Sequence, residues 1–225
     1  MDFGIIDFLK LIGSLGIFLF GMKLMSEALQ KVSGSKLRGI LAAMTSSRLK
    51  GILSGVLITA IIQSSSATTV MLVSFVNAGL LNLVESIGII MGANIGTTVT
   101  AWIISILGFK VSISAFSLPL IGITVPLLFS KNERNRSLGE IALGFALLFL
   151  GLDYLKGAVP DIKSNPQILQ FLSDFTDLGL GSYFIFLLIG TLLTIVIQSS
   201  SATMALTLVM CSNGWIGFDT AAAMV

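Results

Sequence analysis

Long apolar runs dominate the chain, and short polar clusters cut into them at matched places. Ile5 to Gln30 is long enough to cross about 30 Å of hydrocarbon as one helix. Gly51 to Asn77 is apolar on both sides of Gln63 to Ser66. Each flank is about a dozen residues, too short to span as a straight helix. The pattern predicts two half-helices meeting at a polar tip, a re-entrant hairpin. Leu83 to Leu107 is long enough to span, but Gly92-Ala93-Asn94-Ile95-Gly96-Thr97-Thr98 sits in its middle and predicts a broken helix. Val111 to Phe129 is another span, with Pro119 and Pro126 as candidate kinks. Lys131 to Arg136 is a polar loop and the clearest boundary.

The pattern then restarts. Leu148-Phe149-Leu150-Gly151 resembles Phe18-Leu19-Phe20-Gly21. Gln63-Ser64-Ser65-Ser66-Ala67-Thr68 recurs letter for letter as Gln198-Ser199-Ser200-Ser201-Ala202-Thr203, and Thr59 and Gly79 match Thr194 and Gly214 at the same offset of 135. Ser182 to Ser212 therefore reads as a second hairpin. The expected fold is an all-α integral membrane protein built as an inverted repeat. Each half has a spanning helix, a hairpin with a Gln-Ser-Ser-Ser tip and a broken helix. The halves are 1–130 and 137–225, joined by a cytoplasmic loop at 131–136. The partner of Gly92 to Thr98 would start at position 227, so the second repeat is read as incomplete at the C-terminus. Pro160 to Leu178 is more polar and reads as an interfacial helix or loop.

Composition agrees with a bilayer. The chain is 55% apolar and 11% charged, with a mean hydropathy of +1.00; a soluble domain carries about 25% charged residues. A net charge of +2 is too small to suggest nucleic acid. The absence of histidine removes Ser-His catalysis and histidine metal sites, and the single Cys211 excludes an intrachain disulfide. Met1 to Gly4 lacks a basic leader, so the first helix is read as retained.

The charges also predict orientation. With each hairpin entering and leaving on one side, the first half makes three crossings, and the second half enters inverted. The loops at 31–50 and 131–136 then share a side and hold eight of the 13 basic residues, which makes that side cytoplasmic. The opposite side holds Asp2, Asp7, Asp161, Asp174 and Asp177, with the N-terminus extracytoplasmic and the membrane a cell (inner) membrane.

Polar clusters at membrane depth need a reason, since an unpaired buried hydroxyl costs roughly 1–3 kcal/mol. Each Gln-Ser-Ser-Ser-Ala-Thr run reads as a helix start with serine as N-cap. The free amides of that first turn, at the positive end of the helix dipole, bind an oxyanion without any basic side chain. The carbonyls ending the preceding half-helix, with glutamine, serine, threonine and asparagine oxygens, suit sodium. Any single serine here is better read as a packing residue; two identical copies at matched positions mark a site. For Gly92 to Thr98, close helix packing through Gly92 and Gly96 stands level with a functional break. Lys23 and Glu27 are read as a pair near a helix end, Glu140 and Asp153 as solvated or paired structural acids, and Glu85 as a residue at a helix N-terminus.

At Gln63 to Thr69, Gln198 to Thr203 and Gly92 to Thr98 the chain resembles the sodium–phosphate cotransporter family, the type II group and its bacterial relatives. The resemblance implies a phosphate site at Ser64, Ser65, Ser66, Ser199, Ser200 and Ser201, and sodium near Gln63, Thr68, Asn94, Gln198 and Thr203. It further implies opposed hairpins, a homodimer, no cofactor beyond the coupling sodium ion, and no enzymatic activity. A non-transporting phosphate-binding membrane protein or transporter fragment is the alternative. An intramembrane serine hydrolase ranks low, because it needs a base beside the nucleophile and Lys23 and Lys156 are expected near helix ends, away from the tips.

Overall fold

The computed structural model describes residues 4–43, 47–110, 113–158, 175 and 179–225. Its regular elements are helices: α1 (Ile5–Ala43), α2 (Arg48–Ile62), α3 (Ser65–Asn77), α4 (Leu83–Ile103), a π-helical segment (Ile104–Lys110), α5 (Ser114–Leu128), α6 (Glu133–Ala158), α7 (Leu180–Ile197), α8 (Ser200–Ser212) and α9 (Phe218–Met224). Among the described residues, four stretches are long and apolar enough to cross a membrane: Ile5–Ser33, Leu83–Phe109, Glu133–Ala158 and Leu180–Ile197. Large apolar side chains such as Trp102, Phe116, Phe184 and Val196 face outward. Such a surface suits lipid and would be a liability in water.

Three expectations change. Residues 31–43, read as part of a basic loop with room for a short interfacial helix over Leu37 to Leu49, continue α1 without interruption. Gly92 to Thr98 does not break α4, which runs as continuous α-helix from Leu83 to Ile103 before its π-helical continuation. The helix before the second serine motif, α7, has 18 residues and is itself long enough to span, unlike the 15-residue α2. Pro160 to Leu178, with Asp161, Asp174 and Asp177, falls outside the described residues apart from Phe175.

The glycines of α4 are there for contact. A Cβ on Gly92 would lie 1.9 Å from the Ile52 carbonyl oxygen, and one on Gly96 would lie 2.7 Å from that of Val56. From the other side, a Cβ on Gly55 would lie 2.0 Å from the Ile89 oxygen. Helix α2 thus lies backbone to backbone against α4, a packing mode typical of small residues in membranes. The same contact recurs 135 residues on, where a Cβ on Gly190 of α7 would lie 1.8 Å from the Met224 oxygen of α9.

Helices α1 and α6 form the central pair. They run antiparallel: Phe18 meets Gly151, Gly21 meets Leu148, Met25 meets Gly144 and Lys31 meets Glu140. The contact is reciprocal, since a Cβ on Gly21 would lie 2.4 Å from Leu148 N and one on Gly151 would lie 2.4 Å from Phe18 N. Phe18, Leu148, Phe149 and Leu152 make the core here, and α8 packs onto it through Ala202, Ala205 and Val209.

The acids behave as structural groups. Glu85 completes a capping box with Asn82 at the start of α4. Glu140 is 8% exposed and pairs with Lys31 and Arg136. Asp153 accepts from Ser114 at 3.1 Å. Lys156 donates to the Gly108 carbonyl and stands 4.1 Å from the Phe109 ring centre, tying α6 to the π-helical segment. Cys211 packs beside the cluster of Phe186, Ile216 and Met224.

Candidate functional site

Both serine motifs break their helices in the same way. α2 ends at Gln63 (φ 59, ψ 26) and α7 ends at Gln198 (φ 56, ψ 28), the two non-glycine residues with positive φ among those described. A side chain in this left-handed region costs roughly 1–2 kcal/mol. Such strain persists where the surroundings enforce it, and it clusters at functional sites. The surroundings here are identical hydrogen bonds. Gln63 N donates to the Thr59 carbonyl at 2.7 Å and Gln198 N to that of Thr194 at 2.8 Å.

The next residue is extended and caps the following helix. Ser64 Oγ accepts from Ala67 N at 3.2 Å, and Ser199 Oγ accepts from Ala202 N at 3.3 Å. One turn in, a threonine pair bolts the two arms together. Thr59 Oγ1 donates to Thr68 Oγ1 at 3.0 Å, which donates to the Ser64 carbonyl. Thr194 Oγ1 donates to Thr203 Oγ1 at 2.9 Å, which donates to the Ser199 carbonyl. Each break is therefore a C-terminus and an N-terminus held a few ångströms apart. The first-turn amides of Ser65, Ser66, Ser200 and Ser201 have no carbonyl four residues back in their own helices.

The two breaks meet. Ser64, Ser65 and Ser66 line the same cavity as Ser199, Ser200 and Ser201, although 135 residues of chain separate the motifs. Gln63 and Gln198 line it too, and its volume is about 390 Å³. Two helix N-termini thus border one space, and their free first-turn amides are groups that can hold an oxyanion.

The remaining expected residues are placed differently. Thr68 and Thr203 sit just behind the tips, 2% and 1% exposed, and their hydroxyls join the threonine pairs, each oxygen keeping one lone pair. Asn94 is exposed on α4 and does not line the cavity. Within 92–98, Gly92 and Gly96 pack α4 on α2, and Thr100 reaches the tip, donating to Gln63 Oε1 at 2.9 Å. The two glutamines also donate backward, Gln63 Nε2 to the Ala60 carbonyl at 2.6 Å and Gln198 Nε2 to that of Ile195.

One wall of the cavity was not foreseen. Lys23, Ser26, Glu27 and Gln30 of α1 line it together with the serines. Lys23 does pair with Glu27, at 3.9 Å, but the pair borders the tips, which corrects the expectation that Lys23 lies away from them. The signal was present: 23, 26, 27 and 30 follow helical spacing as one polar stripe.

Residues 17–157 match the model of the Na+/Pi-cotransporter family. The chain is 29% identical over 217 residues to the putative inorganic phosphate export protein YjbB of Escherichia coli K12, an alignment covering 96% of this chain and 38% of that protein. It is 32% identical over 213 residues to the uncharacterized protein YqeW of Bacillus subtilis, covering 92% of this chain and 65% of that one. Against the human sodium-dependent phosphate transport protein 2B it is 39% identical over 107 residues, covering 46% of this chain and 15% of that protein. The chain thus spans less than two-fifths of the YjbB relatives it matches. No solved structure matches it.

Proposed function

This chain belongs to the Na+/Pi-cotransporter family, and on that premise we propose that it binds inorganic phosphate between its two Gln-Ser-Ser-Ser tips and carries it across a cell membrane, coupled to sodium. The observation that carries the reading is the shared cavity: six serines from motifs 135 residues apart line one space. Phosphate is held there by first-turn amides and serine hydroxyls from both sides. Sodium sits behind the anion, among the Gln63 and Gln198 carbonyl oxygens, the Thr68 and Thr203 hydroxyls and the last carbonyls of α2 and α7. These hard, neutral oxygens suit a monovalent cation and leave the anion's charge to offset the cation's own.

The reciprocal contacts of Gly21 with Leu148 and Gly151 with Phe18 support an inverted repeat. Two antiparallel helices related by a two-fold have that axis perpendicular to both, hence in the bilayer plane. Hairpins related by such an axis enter from opposite faces. Lys31 lies beside Glu140 and Arg136, which supports a single basic end, cytoplasmic by the positive-inside rule. In this reading the repeats move against each other and expose the site to either side in turn. The ion gradient sets the direction, so the same device serves uptake or export.

The test is phosphate flux in proteoliposomes holding the protein, with sodium gradients imposed in each direction. The expected result is flux that follows the sodium gradient and disappears when potassium replaces sodium. Flux indifferent to sodium would overturn the coupling, and phosphate binding without flux would favour the non-transporting reading.

A further inference from the structure

A second polar cavity, of about 790 Å³, lies at one end of the α1–α6 pair and shares no lining residue with the serine cavity. Its lining includes Lys31 from α1 and Glu133, Arg134, Arg136 and Glu140 from the first two turns of α6. Glu140 is nearly buried and uses both carboxylate oxygens: Oε2 accepts from Lys31 Nζ at 2.8 Å, and Oε1 lies 3.3 Å from Arg136 Nε. The carboxylate therefore fixes two long cationic side chains against the cavity wall. Arg136 still has its two terminal nitrogens to offer. The guanidinium of Arg134 makes no ion pair among the described residues. Three basic side chains against two acidic ones leave the lining with a net charge of +1.

The position matters as much as the charge. The apolar spans end and begin here, at Ser33 and Glu133, so the cavity lies at headgroup level. Val32 in its lining is 41% exposed, and Leu138 one turn into α6 is exposed as well. The cavity thus offers cations to a phosphate group and apolar surface to what hangs from it. Among the described residues, the cavity at the pair's other end is lined by a single basic side chain, Lys10, beside Asp153. We propose that this basic cavity binds the phosphodiester of an anionic phospholipid, held by Arg134 and Arg136 with Lys31. Guanidinium groups suit the task because they grip phosphate oxygens in pairs, and basic pockets between helices on the cytoplasmic side are where lipid headgroups dock.

The test is native mass spectrometry of the detergent-purified protein with phosphatidylglycerol or phosphatidylcholine added, repeated with millimolar inorganic phosphate as competitor. Retention of one phosphatidylglycerol, discrimination against phosphatidylcholine and no displacement by inorganic phosphate are expected. The Arg134→Gln/Arg136→Gln variant is expected to lose at least ten-fold in apparent affinity. Its helical circular dichroism and melting temperature report whether it is folded. An Arg134→Lys/Arg136→Lys variant, which keeps the charge but loses the paired donors, is expected to recover only part of the retention. Equal retention of both lipids, or unchanged retention in the glutamine variant, overturns the proposal. So does failure of the lysine variant to restore any binding. Displacement by inorganic phosphate also overturns it, assigning the cavity to the free anion instead.

Discussion

Replacing Gly55 with alanine tests whether α2–α4 contact holds the first serine tip in place. The added Cβ would lie 2.0 Å from the Ile89 oxygen, 2.9 Å from the Ile89 carbonyl carbon and 2.8 Å from Ala93 N. All three are backbone atoms, so no rotamer change relieves the clash and the helices must separate. Overpacking of this kind costs typically 1–3 kcal/mol, and a rigid backbone obstacle puts Gly55→Ala at about 3. Alanine's better helix propensity offsets about 1 kcal/mol, leaving a loss of about 2. At about 2–4 °C per kcal/mol for a chain of this length, the melting temperature falls by roughly 4–8 °C. The damage reaches the site, because Gln63 rides on the end of α2 and its bond from Thr100 of α4 is 2.9 Å long. Separation of the helices by an ångström breaks that bond. Gly16→Ala is the control: a Cβ there meets nothing within 4 Å, so helix propensity alone acts and stability rises slightly. The assay is thermal unfolding of both variants in the same detergent, with phosphate affinity measured alongside. If Gly55→Ala melts and binds like Gly16→Ala, the close approach of α2 and α4 does not support the tip.

Other outcomes follow from the same geometry. Gly190→Ala, whose Cβ would meet the Met224 oxygen at 1.8 Å, lowers the melting temperature as Gly55→Ala does and weakens phosphate binding through the second tip. Ser65→Leu and Ser200→Leu each fill the cavity with an apolar side chain and abolish phosphate binding while the melting temperature stays within a few degrees, as equilibrium dialysis and thermal unfolding would show; unchanged binding in both sinks the anion site. Thr100→Val leaves the Gln63 carbonyl without its donor, costs about 1 kcal/mol and weakens sodium-dependent phosphate binding; an unchanged sodium dependence would remove Gln63 from the cation site. A fluorophosphonate probe labels none of the six tip serines although Lys23 borders them, and labelling of any would revive the hydrolase reading.

The tips were legible because their causes are local. A serine that caps its own helix, a threonine four residues on and an apolar run on each side are all encoded within a dozen residues, and they produced the same break twice. The exact repetition of six letters marked the two breaks as equivalent before any packing was visible. Glu85 at a helix start and the pairing of Glu140 with a nearby arginine were readable for the same reason, being contacts within one turn or so. Gly92 to Thr98 left two readings level because glycine in a membrane helix permits two things, a break or a close approach. The chain's own letters do not choose between them.

That choice belonged to the partner helix. With α2 pressed against Gly92 and Gly96, α4 keeps its hydrogen bonds and gains contact, so continuity costs less than breaking. The same packing sets the rotation of α4, which turns Asn94 away from the cavity and Thr100 toward Gln63. Likewise the polar stripe of α1 was visible as a stripe, but only its antiparallel seat on α6 decided that Lys23 and Glu27 would face the serines. Hydrogen bonds within a turn are written into adjacent residues; the angle at which one helix faces another is decided by the surfaces they share.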